Sequence, residues 1–114
     1  ADKELIVVET TPQGVPSAFL QELADRHENV VYVPLEEDLT IGLKRNIGIY
    51  LASGEVVVTF DDDDIYAPGY VDFMASHLLA QGYVALKLSA WYDFDSRSGG
   101  CGFVDPSALD NLDL

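Results

Sequence analysis

The chain is short of cysteine, of positive charge and of long apolar runs, and each shortage excludes something. Cys101 is its single cysteine, so no internal disulfide forms and a reducing, cytoplasmic setting is the expected one. Lys and Arg number 6 against 20 Asp and Glu, a net charge of −14. That removes the basic footprint on which non-specific nucleic-acid binding and attraction to anionic membranes depend. No apolar run approaches the roughly 18 residues of a membrane span. Ala1-Asp2-Lys3-Glu4 lead straight into an apolar segment, so no signal peptide is expected. A chain this acidic also repels an anionic ligand unless a divalent cation screens the charge.

What is present is an ordinary globular composition. The 114 residues are 48% hydrophobic and 23% charged, enough for one domain around one core and too apolar for a disordered chain. Three apolar runs stand out: "ELIVVE" (4–9), "NVVYVPL" (29–35) and "EVVVTF" (55–60). Each is continuous, as in strands covered on both faces of a parallel sheet. Between them lie helical patterns. In 15–27, Pro16 suits a first turn, and Phe19, Leu20, Leu23 and Ala24 form an apolar face. In 38–54, Thr40 is a candidate N-cap; Leu43, Ile47, Tyr50 and Leu51 repeat at helical spacing, and Gly54 stops the helix. Pro68 opens a third helix with a stripe of Val71, Met74, Ala75, Leu78 and Leu79, closed by Gly82. "YVALKLSAWY" (83–92) reads as a fourth strand, and 93–114 as an irregular tail with at most a short helix. The β-α-β-α-β-α-β order predicts an α/β fold: an open, mainly parallel sheet with helices on both faces.

The third run ends in four consecutive acids, Asp61-Asp62-Asp63-Asp64. Ligands of open α/β sheets bind beyond the carboxyl ends of the strands. Glu9-Thr10, Leu35-Glu36-Glu37 and the aspartates all fall on that edge in this reading. Two carboxylates about 5 Å apart repel by ~3 kcal/mol at an effective dielectric of about 20. Some must be protonated, or splay into water, or share a cation. In an extended chain, Asp61 and Asp63 project to one side and can converge on one ion. Oxygen-only donors select Mg²⁺ or Mn²⁺, and no His or Cys lies nearby for zinc. A short Asp run elsewhere in a chain is ordinarily a solvated loop; its place after a strong strand argues for function.

The segment "LTIGLKRNIGIYLASGEVVVTFDDDDIYAPGYVDFM" resembles the core of family 2 glycosyltransferases, which have the GT-A fold. The carriers are Gly42, the basic cluster Lys44-Arg45-Asn46, the turn Ala52-Ser53-Gly54-Glu55, the strand 56–60, the aspartate run and Pro68. The resemblance covers about residues 4–90. It implies that residues 1–92 are a nucleotide-sugar-binding core and that Asp61 and Asp63 form an Asp-x-Asp motif. One carboxylate would contact the nucleotide ribose and the other the metal bridging the donor diphosphate, with Asp61 and Asp63 as metal ligands. Glu9, Lys44, Arg45, Asp61 and Asp62 would contact the nucleotide, and Asp64 would lie near the donor sugar. The donor would be a UDP- or GDP-sugar, and the reaction metal-dependent transfer to an unknown acceptor. The chain departs from the family where it reads "TTPQGV" (10–15) instead of a second Asp and a Ser-x-Asp turn. For an acceptor base it offers Asp64, Asp93, Asp95 and Asp105. It therefore reads as a core, a truncated fragment or a minimal relative.

Other readings stay open on the residues. A non-catalytic module binding nucleotide and metal fits the missing base. A response-regulator receiver would place its phospho-accepting Asp at Asp64, four residues before Pro68, with Ser89 after the fourth strand. A haloacid-type phosphatase also uses Asp-x-Asp, but Ile65 stands where it needs Thr or Val. Trp91, Tyr92 and Phe94 pack a core or carry a sugar ring, and Tyr66 lines the pocket or covers a loop. His27 and His77 read as helix-surface residues, Glu36-Glu37-Asp38 as an exposed loop. An uncovered sheet edge would let two copies pair as a homodimer.

Overall fold

In a computed structural model, which describes residues 3–108, the first two apolar runs form β1 (Leu5–Thr10) and β2 (Val30–Leu35). They pair in parallel, Leu5 opposite Val30 through Thr10 opposite Leu35. The residues after Leu5 on β1 are all half-buried, as continuous apolar runs covered from both sides should be. Helix α1 (Ala18–Arg26) makes the crossover and packs on β2; α2 (Ile41–Leu51) packs on β1. Ser17 and Thr40 cap the two helices, their hydroxyls accepting from Leu20 N and Leu43 N, which satisfies one otherwise orphaned donor at each start.

The helical faces differ from expectation in detail. Pro16 precedes the α1 cap and lies outside the helix. Phe19 is 70% exposed, so the α1 face is Leu20, Leu23 and Ala24. On α2, Tyr50 is 89% exposed and Leu43 and Leu51 are exposed too; the inward positions are Lys44, Ile47 and Gly48. Helix α2 ends at Leu51 with Ala52 as its cap, before Gly54. Gly48 explains the close seat of α2: a Cβ there would lie 3.9 Å from Val8 Cγ2. That is ordinary contact, so Gly48→Ala is expected to stabilise the fold by about 0.5–1 kcal/mol, the helix-interior cost of glycine. Chemical denaturation checks it; a loss of stability would mean that α2 cannot yield.

Two predicted strands are absent. Residues 55–60 have no ladder partner among the described residues, and 83–90 are irregular. The parallel sheet therefore has two strands, not four. Trp91 and Tyr92 instead begin β3 (Trp91–Asp95), which pairs antiparallel with β4 (Gly100–Val104), Trp91 opposite Val104 and Asp95 opposite Gly100. The segment expected to be an irregular tail thus carries a hairpin, followed by a 3₁₀ turn at Pro106–Ala108. Helix α3 (Tyr70–Gln81) has Gly69 as its N-cap and starts at Tyr70, two residues later than Pro68 would set it; it ends on Gly82 in the left-handed region at φ 64°. Its stripe is inward at Val71, Met74, Ala75 and Leu78, with Leu79 exposed. The chain divides into two compact units that part between Asp64 and Ile65. No helix among the described residues is long and apolar enough to cross a membrane.

Candidate functional site at the carboxyl edge of the parallel pair

Parallel pairing puts the carboxyl ends of β1 and β2 on one edge, where the chain must leave the sheet. Thr11 closes that edge: its N–H and its hydroxyl both donate to Leu35 O, at 2.9 and 3.1 Å, and it is buried. Side chains alternate along β1, so the edge has two faces. Val8 and Thr10 point to the α2 side. There the Thr10 hydroxyl donates to Asp38 Oδ1 at 3.2 Å, and Lys44 Nζ, from α2, lies 3.4 Å from the same oxygen. Glu9 points to the other side, where it accepts from the Tyr32 hydroxyl, and Tyr32 Oη in turn accepts from Ser17 N–H at 2.9 Å. Partial burial, then the Glu9 carboxylate, push the Tyr32 hydroxyl above its ordinary range, against a downward pull from Ser17 N–H.

Arg45, the next residue on α2, reaches the aspartate run: its Nη2 lies 2.7 Å from Asp61 Oδ1. Both side chains are nearly half exposed, where an ion pair contributes about 0.2–1 kcal/mol, so the pair matters more for position than for stability. The run itself turns: Asp64 N–H donates to Asp61 O at 3.4 Å. The extended spacing that would align Asp61 with Asp63 is therefore replaced by a turn through Asp62 and Asp63. All four aspartates are exposed. Among the described residues no three His, Cys, Asp or Glu side chains form a metal-holding group. A closed protein cage does not fit. The oxygen-only donors do fit a hydrated hard cation, which takes one or two carboxylates and completes its shell with water and phosphate.

The later acids are each engaged locally. Asp93 accepts from Trp91 Nε1 at 3.0 Å. Asp95 accepts from Arg97 N–H at 2.9 Å and from the Ser98 hydroxyl at 2.6 Å, and the Ser98 hydroxyl foremost holds its carboxyl below the usual range. Asp105 caps the 3₁₀ turn through Ser107 N–H and hydroxyl, at 3.0 and 2.6 Å. Tyr66 packs against Tyr70 in a tilted arrangement with ring centroids 5.0 Å apart, and His77 Nδ1 sits 3.0 Å from Phe73 O. Tyr92 packs against Phe103 across the hairpin, and Cys101 is exposed. His27 is the α1 C-cap, its backbone N–H on Leu23 O.

Sequence reasoning missed Tyr32 and Glu4. A tyrosine inside an otherwise aliphatic strand is a signal, because a partly buried phenol needs a partner for its hydroxyl. Glu4 Oε1 accepts from Ser53 N–H at 2.7 Å and Gly54 N–H at 2.9 Å, tying the start of β1 to the turn after α2.

Residues 1–99 match the model of glycosyl transferase family 2. The chain is also 32% identical over 87 residues to the amylovoran biosynthesis glycosyltransferase AmsE of Erwinia amylovora, an alignment covering 74% of this chain and 33% of that protein. The chain thus spans about a third of the length of that curated relative. No solved structure matches this chain. The match includes β1, β2, all three helices and the aspartate run, and the α/β architecture with its short parallel sheet is compatible with GT-A. The receiver and phosphatase readings are thereby set aside: the chain belongs to glycosyl transferase family 2.

Proposed function

We propose that this chain binds the nucleoside diphosphate of a UDP- or GDP-sugar across the carboxyl edge of β1–β2, and that the protein transfers the sugar to an acceptor hydroxyl. Residues 1–92 supply the donor core in this reading. The observation that supports it best is the 2.7 Å meeting of Arg45 and Asp61, which brings the basic cluster and the aspartate run of the family pattern to one place. Asp61 and Asp63 hold a Mn²⁺ or Mg²⁺ ion, with Asp62 turned toward the nucleotide and Asp64 toward the sugar. When bound, such an ion neutralises the diphosphate as the anomeric C–O bond breaks. Glu9 accepts from the base on one face of the edge; Lys44 and Arg45 receive phosphate oxygens on the other, near the start of α2, where backbone N–H groups favour anions.

A second reading is favoured by the local engagement of Asp93, Asp95 and Asp105: a nucleotide-binding module without an acceptor base of its own. Calorimetric titration with uridine and guanosine diphosphate, with and without Mn²⁺, tests the donor site, and a sugar-nucleotide turnover assay alongside separates the two readings. Manganese-dependent binding is expected. Binding that ignores manganese and magnesium counts against the metal-held donor site.

A further inference from the structure

We infer that Tyr32 is a positioning residue: it fixes which oxygen Glu9 turns toward a ligand, and so selects nucleobases that carry a ring N–H. The inference rests on the donor-site reading above and adds a specificity device to it.

A phenolic hydroxyl has one proton to donate and lone pairs to accept with. At Tyr32 a lone pair is taken by Ser17 N–H at 2.9 Å, a group that can only donate. The hydroxyl proton is thereby left for Glu9 Oε2, to which it is directed. Ser17 is itself held as the α1 N-cap, its side chain accepting from Leu20 N–H at 3.4 Å, so the chain of donors is anchored at its far end. Glu9 and Tyr32 are half-buried on adjacent strands in fixed register, Tyr32 opposite Val7 and Glu9 opposite Pro34. With Oε2 committed, Oε1 is the oxygen that accepts from a ligand. An anionic oxygen attracts the ring N–H of uracil or guanine and repels the ring lone pair that cytosine or adenine presents at the same place.

The test uses the whole chain with Mn²⁺ and three probes: uridine diphosphate, cytidine diphosphate and inorganic pyrophosphate. Tyr32→Phe is expected to weaken uridine diphosphate about five- to tenfold and to leave pyrophosphate unchanged. Glu9→Gln is expected to shift preference toward cytidine diphosphate, because the Tyr32 proton still fixes the side-chain oxygen and turns the amide NH₂ outward. In the double variant the amide rotates freely and that shift is lost. Circular dichroism controls for folding; should Tyr32→Phe not fold, the preference of Glu9→Gln decides. Equal weakening of pyrophosphate overturns this inference alone; an unaltered preference in Glu9→Gln overturns it together with the Glu9–base contact and leaves the metal-held diphosphate site standing. A wild-type chain that binds neither diphosphate nor pyrophosphate overturns the donor-site reading and this inference with it.

Discussion

Exchange of Asp63 for alanine is expected to abolish manganese-dependent nucleotide binding, with at least a ~100-fold rise in Kd, while the fold persists. The argument is one of charge. The chain carries −14, and a diphosphate adds more negative charge at an edge already bearing Glu9, Asp38 and the aspartate run. Positive charge to offset it is scarce. Lys44 lies 3.4 Å from Asp38 and Arg45 lies 2.7 Å from Asp61, so each basic side chain at the edge shares its charge with a carboxylate and offsets only part of a diphosphate's charge. The remaining compensation must come from a cation, and removing a ligand from its shell removes that compensation. Titration calorimetry with and without Mn²⁺ reads the loss; unchanged affinity would count against the assignment. Without metal the same substitution removes one of four adjacent like charges, so the melting temperature is expected to hold or rise slightly. Asp61→Ala is a useful contrast, because it also releases Arg45.

The two paired strands and the helices were legible because local and long-range signals agree there. The β1 and β2 runs, the Thr40 cap and the inward stripe of α3 all follow from periodicity and capping. The failure at 55–60 has a physical cause. Val56 and Val58 are half-buried while Val57 and Thr59 are exposed, so the run covers a surface on one side, and it joins no strand ladder among the described residues. β-branched content reports a preference for burial and extension; a strand also needs a partner for its N–H and C=O groups. The hairpin had a readable signal. Tyr92-Asp93-Phe94-Asp95 alternates, and Gly99 takes φ 71° just before β4, the turn chemistry that a Ser-Gly-Gly stretch offers. At the edge, the acids and basic residues were visible in the sequence. Their pairing was not, because Thr10–Asp38 and Arg45–Asp61 join residues 28 and 16 positions apart and depend on where α2 lies.

Loss of the Glu4 carboxylate is expected to lower stability, read as a drop in the Tm of Glu4→Ala relative to wild type. Glu4 stands just before β1, at the end of the sheet opposite the ligand edge. Its Oε1 gathers Ser53 N–H, Gly54 N–H and the Ser53 hydroxyl within 3.1 Å, and Oε2 shares that hydroxyl. Two backbone donors beyond α2 are thus satisfied by one side chain 49 and 50 residues away, a long closure that local structure does not duplicate. The Ser53 N–H foremost, then the Gly54 N–H, hold the Glu4 carboxyl below its usual range. A depressed folded pKa contributes stability that is complete above the unfolded value of about 4.3 and is lost as pH falls through the folded one. The Tm gap between wild type and Glu4→Ala should therefore be full at pH 7 and close as the solution is acidified below about 4. Asp95 is lowered as well, but it is common to both proteins and cancels from the difference. A gap that persists unchanged to pH 3 would show that packing of the Glu4 stem, not its charge-assisted hydrogen bonds, fastens β1 to the turn after α2.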